Sequence, residues 1–282
     1  MNLGRIGVWS MELRFGDKAE GAAAAVELED LGYGTLWVPG GIGGDVMDDL
    51  DHLLAATNKA MIATGILNVW KHEPAEIASW FNALPADKQG RVMLGLGISH
   101  APLIGDAWAK PVAAMRSYLD QLAALDLPCD QLCLAALGPK MLALSGERTA
   151  GAHPYLINPQ HTAEARKVLG PGKLLAPEQG VVLESDPEKA RAVARKAVEH
   201  YARLPNYTNN WLRLGITQED IDSVSDRLID ALFAYGDAAA IKARIDEHFA
   251  AGANHVCLQV MTADGGIVAA MPVFRELAKL LL

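Results

Sequence analysis

The chain has 282 residues, 51% of them hydrophobic and 21% charged, and its 25 lysines and arginines against 34 aspartates and glutamates leave a formal net charge of −9. This composition excludes disorder as the main theme, and the acidic balance argues against a surface built for nucleic acid or anionic lipid. Three cysteines exclude a disulfide scaffold and fit a reducing compartment. With no signal-peptide pattern at the amino terminus and no apolar run of the ~18–20 residues that span a bilayer, a soluble, cytoplasmic globular protein is expected.

Short apolar runs alternate with helical patterns along the whole chain. Residues 3–9 read as a strand and 18–31 as a helix with Ala22, Ala23, Val26 and Leu31 on one face, stopped by Gly32. A strand over 35–38, a helix over 45–57 and a buried strand over 61–69 follow, and Pro74 opens the next helix at its first turn. Residues 91–96 and 132–137 are strands, separated by a helix over 111–125. Then come a helix over 139–149, a short strand over 155–158, a helix over 162–169, a strand over 174–183 and a long helix over 187–204. Residues 205–236 form a helical insertion, with an amphipathic piece at 221–233. The pattern closes with a helix over 237–251, a strand over 255–261 and a helix over 267–282.

About eight such βα units predict a (βα)8 TIM-like barrel in one domain, 1–282, with the insertion before the last strand. The competing doubly wound sheet wants a glycine fingerprint after the first strand, where Val8-Trp9-Ser10-Met11 stands instead. In a barrel the functional groups lie at the C-terminal strand ends. Those ends are Trp9-Ser10, Pro39-Gly40-Gly41, residues 67–72, 97–100, 137–138 and 153–158, Glu184 and residues 259–262.

Three of these ends carry chemistry-bearing patterns. In Gly95-Leu-Gly-Ile-Ser-His100 glycine lets a ligand approach the backbone, while serine and histidine offer a hydroxyl and an imidazole. In Ala136-Leu-Gly-Pro-Lys140 a helix opens with proline, and its free N–H groups suit a phosphate. In Ala63-Thr-Gly-Ile-Leu-Asn-Val-Trp70 a mid-strand glycine marks a bulge or a close backbone approach, with Trp70, Lys71 and His72 as candidate pocket walls. Each has a plainer alternative, namely a turn, an ordinary helix start and a packed strand. The eight histidines show no metal-ligand spacing, Cys129 and Cys133 lack a second pair, and no metal is expected. Asp48, Asp49, Asp51 and His52 read as a solvated helix face, and Cys257 as core.

Together and in order, several segments resemble the luciferase-like monooxygenase superfamily, and within it the F420-dependent oxidoreductases. They are Tyr33-Gly-Thr-Leu-Trp-Val-Pro39, the 63–70 strand, Glu73-Pro-Ala-Glu-Ile-Ala78, residues 90–102, Ala135-Ala-Leu-Gly-Pro-Lys-Met141, Gly151-Ala-His-Pro-Tyr155, residues 204–210 and residues 251–259. The resemblance implies a cis peptide at Gly65–Ile66 that braces the cofactor ring. It also implies that Asn68, Gly97, Ile98, Ser99 and His100 line the cofactor, and that Leu137 and Gly138 bind its phosphate. Trp9, His153 and Tyr155 are the substrate-side candidates. Where many relatives carry an acid after the second strand this chain has Pro39-Gly40-Gly41, so His100 is the expected catalytic group, a proton donor near its ordinary pKa. Hydride transfer between F420 and a small organic substrate is the expected activity, in a homodimer. The alternatives are a monooxygenase using reduced FMN and a catalytically idle ligand- or partner-binding homologue. The insertion, with Tyr207, Trp211 and Arg213, is a candidate lid, and Arg213 a candidate partner for the cofactor's acidic tail.

Overall fold

The computed structural model describes residues 2–41, 43–100, 104–105 and 110–282; Ala101-Pro102, the end of one resemblance segment, lies outside them. In chain order the elements begin β1 (Ile6–Trp9), α1 (Glu12–Phe15), α2 (Lys18–Leu31), β2 (Thr35–Gly40), α3 (Val46–Ala56), β3 (Met61–Asn68), α4 (Pro74–Ala83), α5 (Ala86–Gln89) and β4 (Val92–Gly97). They continue α6 (Pro111–Ala124), β5 (Leu132–Leu134), α7 (Pro139–Arg148), β6 (Gly151–Ala152), α8 (Pro159–Leu169), β7 (Leu174–Leu175), β8 (Glu178–Leu183) and α9 (Pro187–Val198). After a 3₁₀ turn at Tyr201–Arg203 follow α10 (Pro205–Arg213), α11 (Gln218–Asp222), α12 (Asp226–Leu232), β9 (Phe233–Gly236), α13 (Ala238–Ala250), β10 (Val256–Val260) and α14 (Ile267–Leu281).

The ten described strands form one parallel sheet in the order β7-β6-β5-β4-β3-β2-β1-β10-β8-β9. β7 and β8 are two pieces of one passage of chain interrupted at Ala176-Pro177, a residue pair in which proline has no N–H to give. The first piece pairs with β6 and the second with β10, and Cys257 N donates to Pro177 O at 2.9 Å, so the sheet curls back toward its own start. The strands are buried on both sides. Val8, Leu36, Val38, Ile62 and Leu258 face the helices, whereas Trp9, Trp37, Met61, Ala63, Met93, Cys133 and Cys257 fill the inside of the curl. Two-sided burial of this kind belongs to parallel sheets covered by helices. Aspartates at 17, 45, 186 and 237 cap helix starts with their side chains.

Several expectations are corrected here. Helix α2 buries Gly21, Ala24, Ala25 and Leu28, while Val26 is exposed; a face of alanine and glycine admits close packing that larger residues would block. Asp49 is no solvated residue: it is buried and ion-paired with Arg14, Oδ2 to Nε at 2.7 Å, and with Lys18. The strand expected at 155–158 lies earlier, at β6, because Leu156 adopts φ +51° and its N–H is taken by the Glu178 carboxylate rather than a ladder. The helix from Pro187 ends at Val198, and the segment after Pro205 is helical only to Leu232 before β9 pairs with β8. Among the described residues no helix is long and apolar enough to cross a membrane.

Candidate functional site

The C-terminal ends of β3, β4 and β5 surround a cavity of about 480 Å³, which shares Ile66, Ser99, His100, Ala135, Tyr155 and Tyr207 with a second one of about 300 Å³. We call the first the outer chamber and the second the inner chamber. Their common wall begins in β3, where the Gly65–Ile66 peptide is cis and the ladder to β4 shifts register between Thr64 and Leu67. Only glycine fits at 65: a Cβ there would lie 2.5 Å from Trp9 Nε1 and 2.9 Å from His153 Nε2. Trp9 Nε1 donates to Gly65 O at 3.0 Å. At Gly97 a Cβ would meet the end of the Ile66 side chain at 2.4 Å, so the missing side chain leaves Ile66 its place in the wall.

At the β4 end Ser99 has φ +59°, a left-handed conformation that turns the chain sharply and brings both Ser99 and His100 to line the two chambers. Trp70, a candidate pocket wall, instead anchors this turn by donating Nε1 to Ile98 O at 2.8 Å, and Asn68 Oδ1 accepts from Trp70 N at 3.0 Å. His100 Nδ1 donates to Asn206 Oδ1 of α10 at 2.8 Å, which leaves Nε2 as the lone-pair nitrogen of the neutral ring. Burial pushes the His100 pKa below its ordinary value, the Asn206 hydrogen bond opposes the shift and nearby His200 adds to it. The expected proton donor at ordinary pKa is therefore a neutral imidazole at pH 7.

The far end of the outer chamber is the start of α7. Gly138 precedes Pro139 at the first helical turn with no side-chain cap. Pro139 has no N–H and Met141 N donates to Gly138 O at 3.1 Å, so Lys140 is the residue of this turn whose N–H lacks a partner within the helix. Leu137, Gly138 and Lys140 line the chamber there, and so does Arg213 from α10. The guanidinium donates Nη2 to Leu137 O at 3.0 Å and to Asn210 Oδ1 at 2.6 Å. His161 Nε2 donates to the same Leu137 carbonyl at 3.0 Å. Neither Lys140 nor Arg213 has a carboxylate partner among the described residues, although most of the arginines in this acidic chain do.

The inner chamber is framed by Trp9, Tyr155, Tyr201 and Tyr207. Tyr155 Oη donates to Gln259 Oε1 at 2.8 Å. Its turn is pinned twice: Leu156 N donates to Glu178 Oε2 and Trp211 Nε1 to Leu156 O, each at 3.0 Å. Glu178 escaped sequence reasoning, although a glutamate within an apolar strand was a signal that it is paired inside; Trp211, a candidate for the lid, is fully buried. Burial raises the Glu178 carboxyl to about 8. His153 lies at the chamber floor, stacked on Trp37 with centroids 4.3 Å apart and donating Nδ1 to Ala176 O at 2.7 Å. Its Nε2 is buried without a partner among the described residues, and burial lowers its pKa to about 4. At the β2 end, at Pro39-Gly40-Gly41, the turn is held by Arg14, which donates to Pro39 O and Gly43 O at 2.6 Å each. Among the described residues no group of three or more His, Cys, Asp or Glu is placed to hold a metal ion.

Residues 4–126 match the luciferase-like monooxygenase family. A curated relative, the 5,10-methylenetetrahydromethanopterin reductase of Methanolobus tindarius, is 29% identical over 162 residues, 47% of this chain and 48% of the relative. The chain thus spans about half the length of that protein. The coenzyme F420-dependent tetrahydromethanopterin reductase of Methanopyrus kandleri has a similar structure, with TM-score 0.75 and 18% identity over 98% of each chain. The oxygenating constituent of 3,6-diketocamphane monooxygenase from Pseudomonas putida, solved with FMN, is also similar, with TM-score 0.70 and 12% identity over 97% of this chain and 95% of the other. At these identities the two structural likenesses establish the fold and nothing finer.

Proposed function

We propose that this luciferase-like chain is an oxidoreductase that exchanges a hydride between the deazaflavin F420 and a small organic substrate. The carrying observation is the two-chambered cavity, cationic at the α7 end and aromatic at the other, with Ile66 and the 97–100 turn at the junction. That shape and charge fit a flat ring with an anionic tail: the α7 N-terminus, Lys140 and Arg213 toward the phosphate, and Ile66, Gly97, Ile98, Ser99 and Asn68 about the ring. The sheet is then an eight-stranded barrel, with β7 and β8 as one strand and β9 as an addition from the insertion.

The cofactor supplies hydride chemistry; the protein supplies orientation and proton exchange. With Nδ1 tied to Asn206, His100 Nε2 takes the hydroxyl proton of a bound substrate in the oxidising direction, and the imidazolium returns it in the reverse. Its lowered pKa favours the base form at neutral pH and moves the reducing direction toward acid. F420 is expected to bind with saturable fluorescence quenching. His100→Ala is expected to keep that binding and lose roughly 100-fold or more in turnover; unchanged turnover removes the role.

The FMN-bound relative of the same fold supports a second reading, oxygen activation with reduced FMN. Product formation that requires oxygen and FMN selects it. Absence of binding by either cofactor selects an idle homologue and sinks both.

A further inference from the structure

We infer that the inner chamber takes an uncharged, ring-sized organic molecule as the substrate and rejects carboxylates and phosphates. The inference rests on the cofactor lying along the outer chamber. Among the described residues that line the inner chamber there is no lysine, arginine, aspartate or glutamate, whereas the adjoining outer chamber has two cations without carboxylate partners. The molecule separates its charges by chamber.

The walls of the inner chamber are rings. Tyr155 and Tyr201 stand with centroids 5.5 Å apart, Tyr201 and Tyr207 4.9 Å apart at 73°, and Trp9 and Tyr155 5.5 Å apart. Edge and face contacts of this kind accept another flat or alicyclic ring. Burial raises the pKa of all three phenols, so they stay protonated and bring no charge. Behind them Glu178, with a pKa of about 8, shows how poorly this interior solvates an anion. A carboxylate bound here would lose water without gaining a counter-charge, a transfer that costs far more than that of a hydroxyl or carbonyl. The polar groups that remain, Asn68, Ser99 and the imidazoles of His100 and His200, suit one neutral oxygen function.

The test uses matched probes with one ring, benzyl alcohol and benzaldehyde against benzoate and phenyl phosphate, on wild-type protein with and without F420, read by saturation-transfer NMR and calorimetry. The neutral pair is expected to bind at least about tenfold more tightly than the anions. Equal or tighter binding of benzoate overturns the inference, and so does absence of saturable binding by the neutral pair. Tyr201→Lys, checked for folding by its tryptophan fluorescence and thermal midpoint, is expected to move the ratio about tenfold toward benzoate. A folded variant with an unchanged ratio also overturns it, since the anion would then be refused elsewhere. Failure of F420 to quench removes the cofactor assignment, while the change in the probe ratio caused by Tyr201→Lys, a residue that lines the inner chamber and not the outer one, still decides the chamber on the cofactor-free protein.

Discussion

The histidines of the floor and of the rim have the same side chain in opposite settings. On the floor, His153 and His255 are enclosed by Trp37: one stacks on its indole, and the other accepts from its Nε1 at 3.1 Å while donating Nδ1 to Gly4 O at 2.8 Å. On the rim, His100 has one nitrogen tied to a flexible amide and the other free at the junction of two cavities. Burial drives the floor pair down to about 4, whereas His100 moves less far from the range where a proton can be exchanged. Within the curled sheet the floor is built of packed, buried rings, and the proposed chemistry belongs to the rim.

The largest effect expected of that contrast is acid sensitivity. His153, His255 and also His248, at about 3, hold no proton at pH 5 when folded, but their unfolded counterparts do. The unfolded chain therefore binds more protons, and stability falls as pH drops through 6.5, by roughly 2 kcal/mol per histidine at pH 5. Glu178 acts oppositely: it keeps its proton up to about pH 8 when folded, so its contribution falls as pH rises from about 4.5 to 8. Urea midpoints measured from pH 5 to 8 should peak near neutrality, and Glu178→Gln should flatten the alkaline side and steepen the acid one. A curve still rising from pH 7 to 8 in wild type contradicts the Glu178 assignment, and one that does not fall from pH 6.5 to 5 contradicts the floor assignment.

Next in size is Trp37→Ala. This indole is fully buried, and its loss should cost about 3–5 kcal/mol, seen in thermal and urea midpoints. A loss below ~1 kcal/mol would mean that the floor is loosely packed and that the contrast with the rim is false.

Much of this was readable from sequence because the beat of strands and helices is marked by local chemistry: prolines at 74, 111, 139, 159, 187 and 205 stand in first helical turns. The cis peptide and the candidate rim residues followed from resemblance and from glycine placement. What was hidden depends on partners far away in the chain. Nothing near Asp49 announces Arg14, 35 residues earlier, and nothing near His100 announces Asn206, 106 residues later, or the burial that lowers the imidazole's pKa against that hydrogen bond. An alanine-rich helix such as α2 has no strong apolar stripe, so its buried face is decided by neighbours. The 155–158 strand failed because one side-chain carboxylate outcompeted the ladder for a backbone N–H.

The smallest expected effect lies at the outer rim and separates tail from ring. Arg213 is solvent-exposed, so solvent screens whatever its guanidinium contributes to an anion. Its Nη2 is committed to Leu137 O and Asn210 Oδ1, which fixes the plane of the group and leaves Nη1 near Gly138, at the start of α7. Arg213→Ala should therefore weaken a phosphate-tailed cofactor only about three- to tenfold, and less at high salt. The same chromophore without its phosphate should bind wild type and variant alike. Arg213→Gln, which keeps a donor for Leu137 O but no charge, tells the two contributions apart: loss equal to that of Arg213→Ala assigns the effect to charge at the tail. Equal weakening of the tailed and tail-less ligands in both variants would assign Arg213 to holding the Leu137 turn, and the cationic end of the cavity would lose its claim on the phosphate.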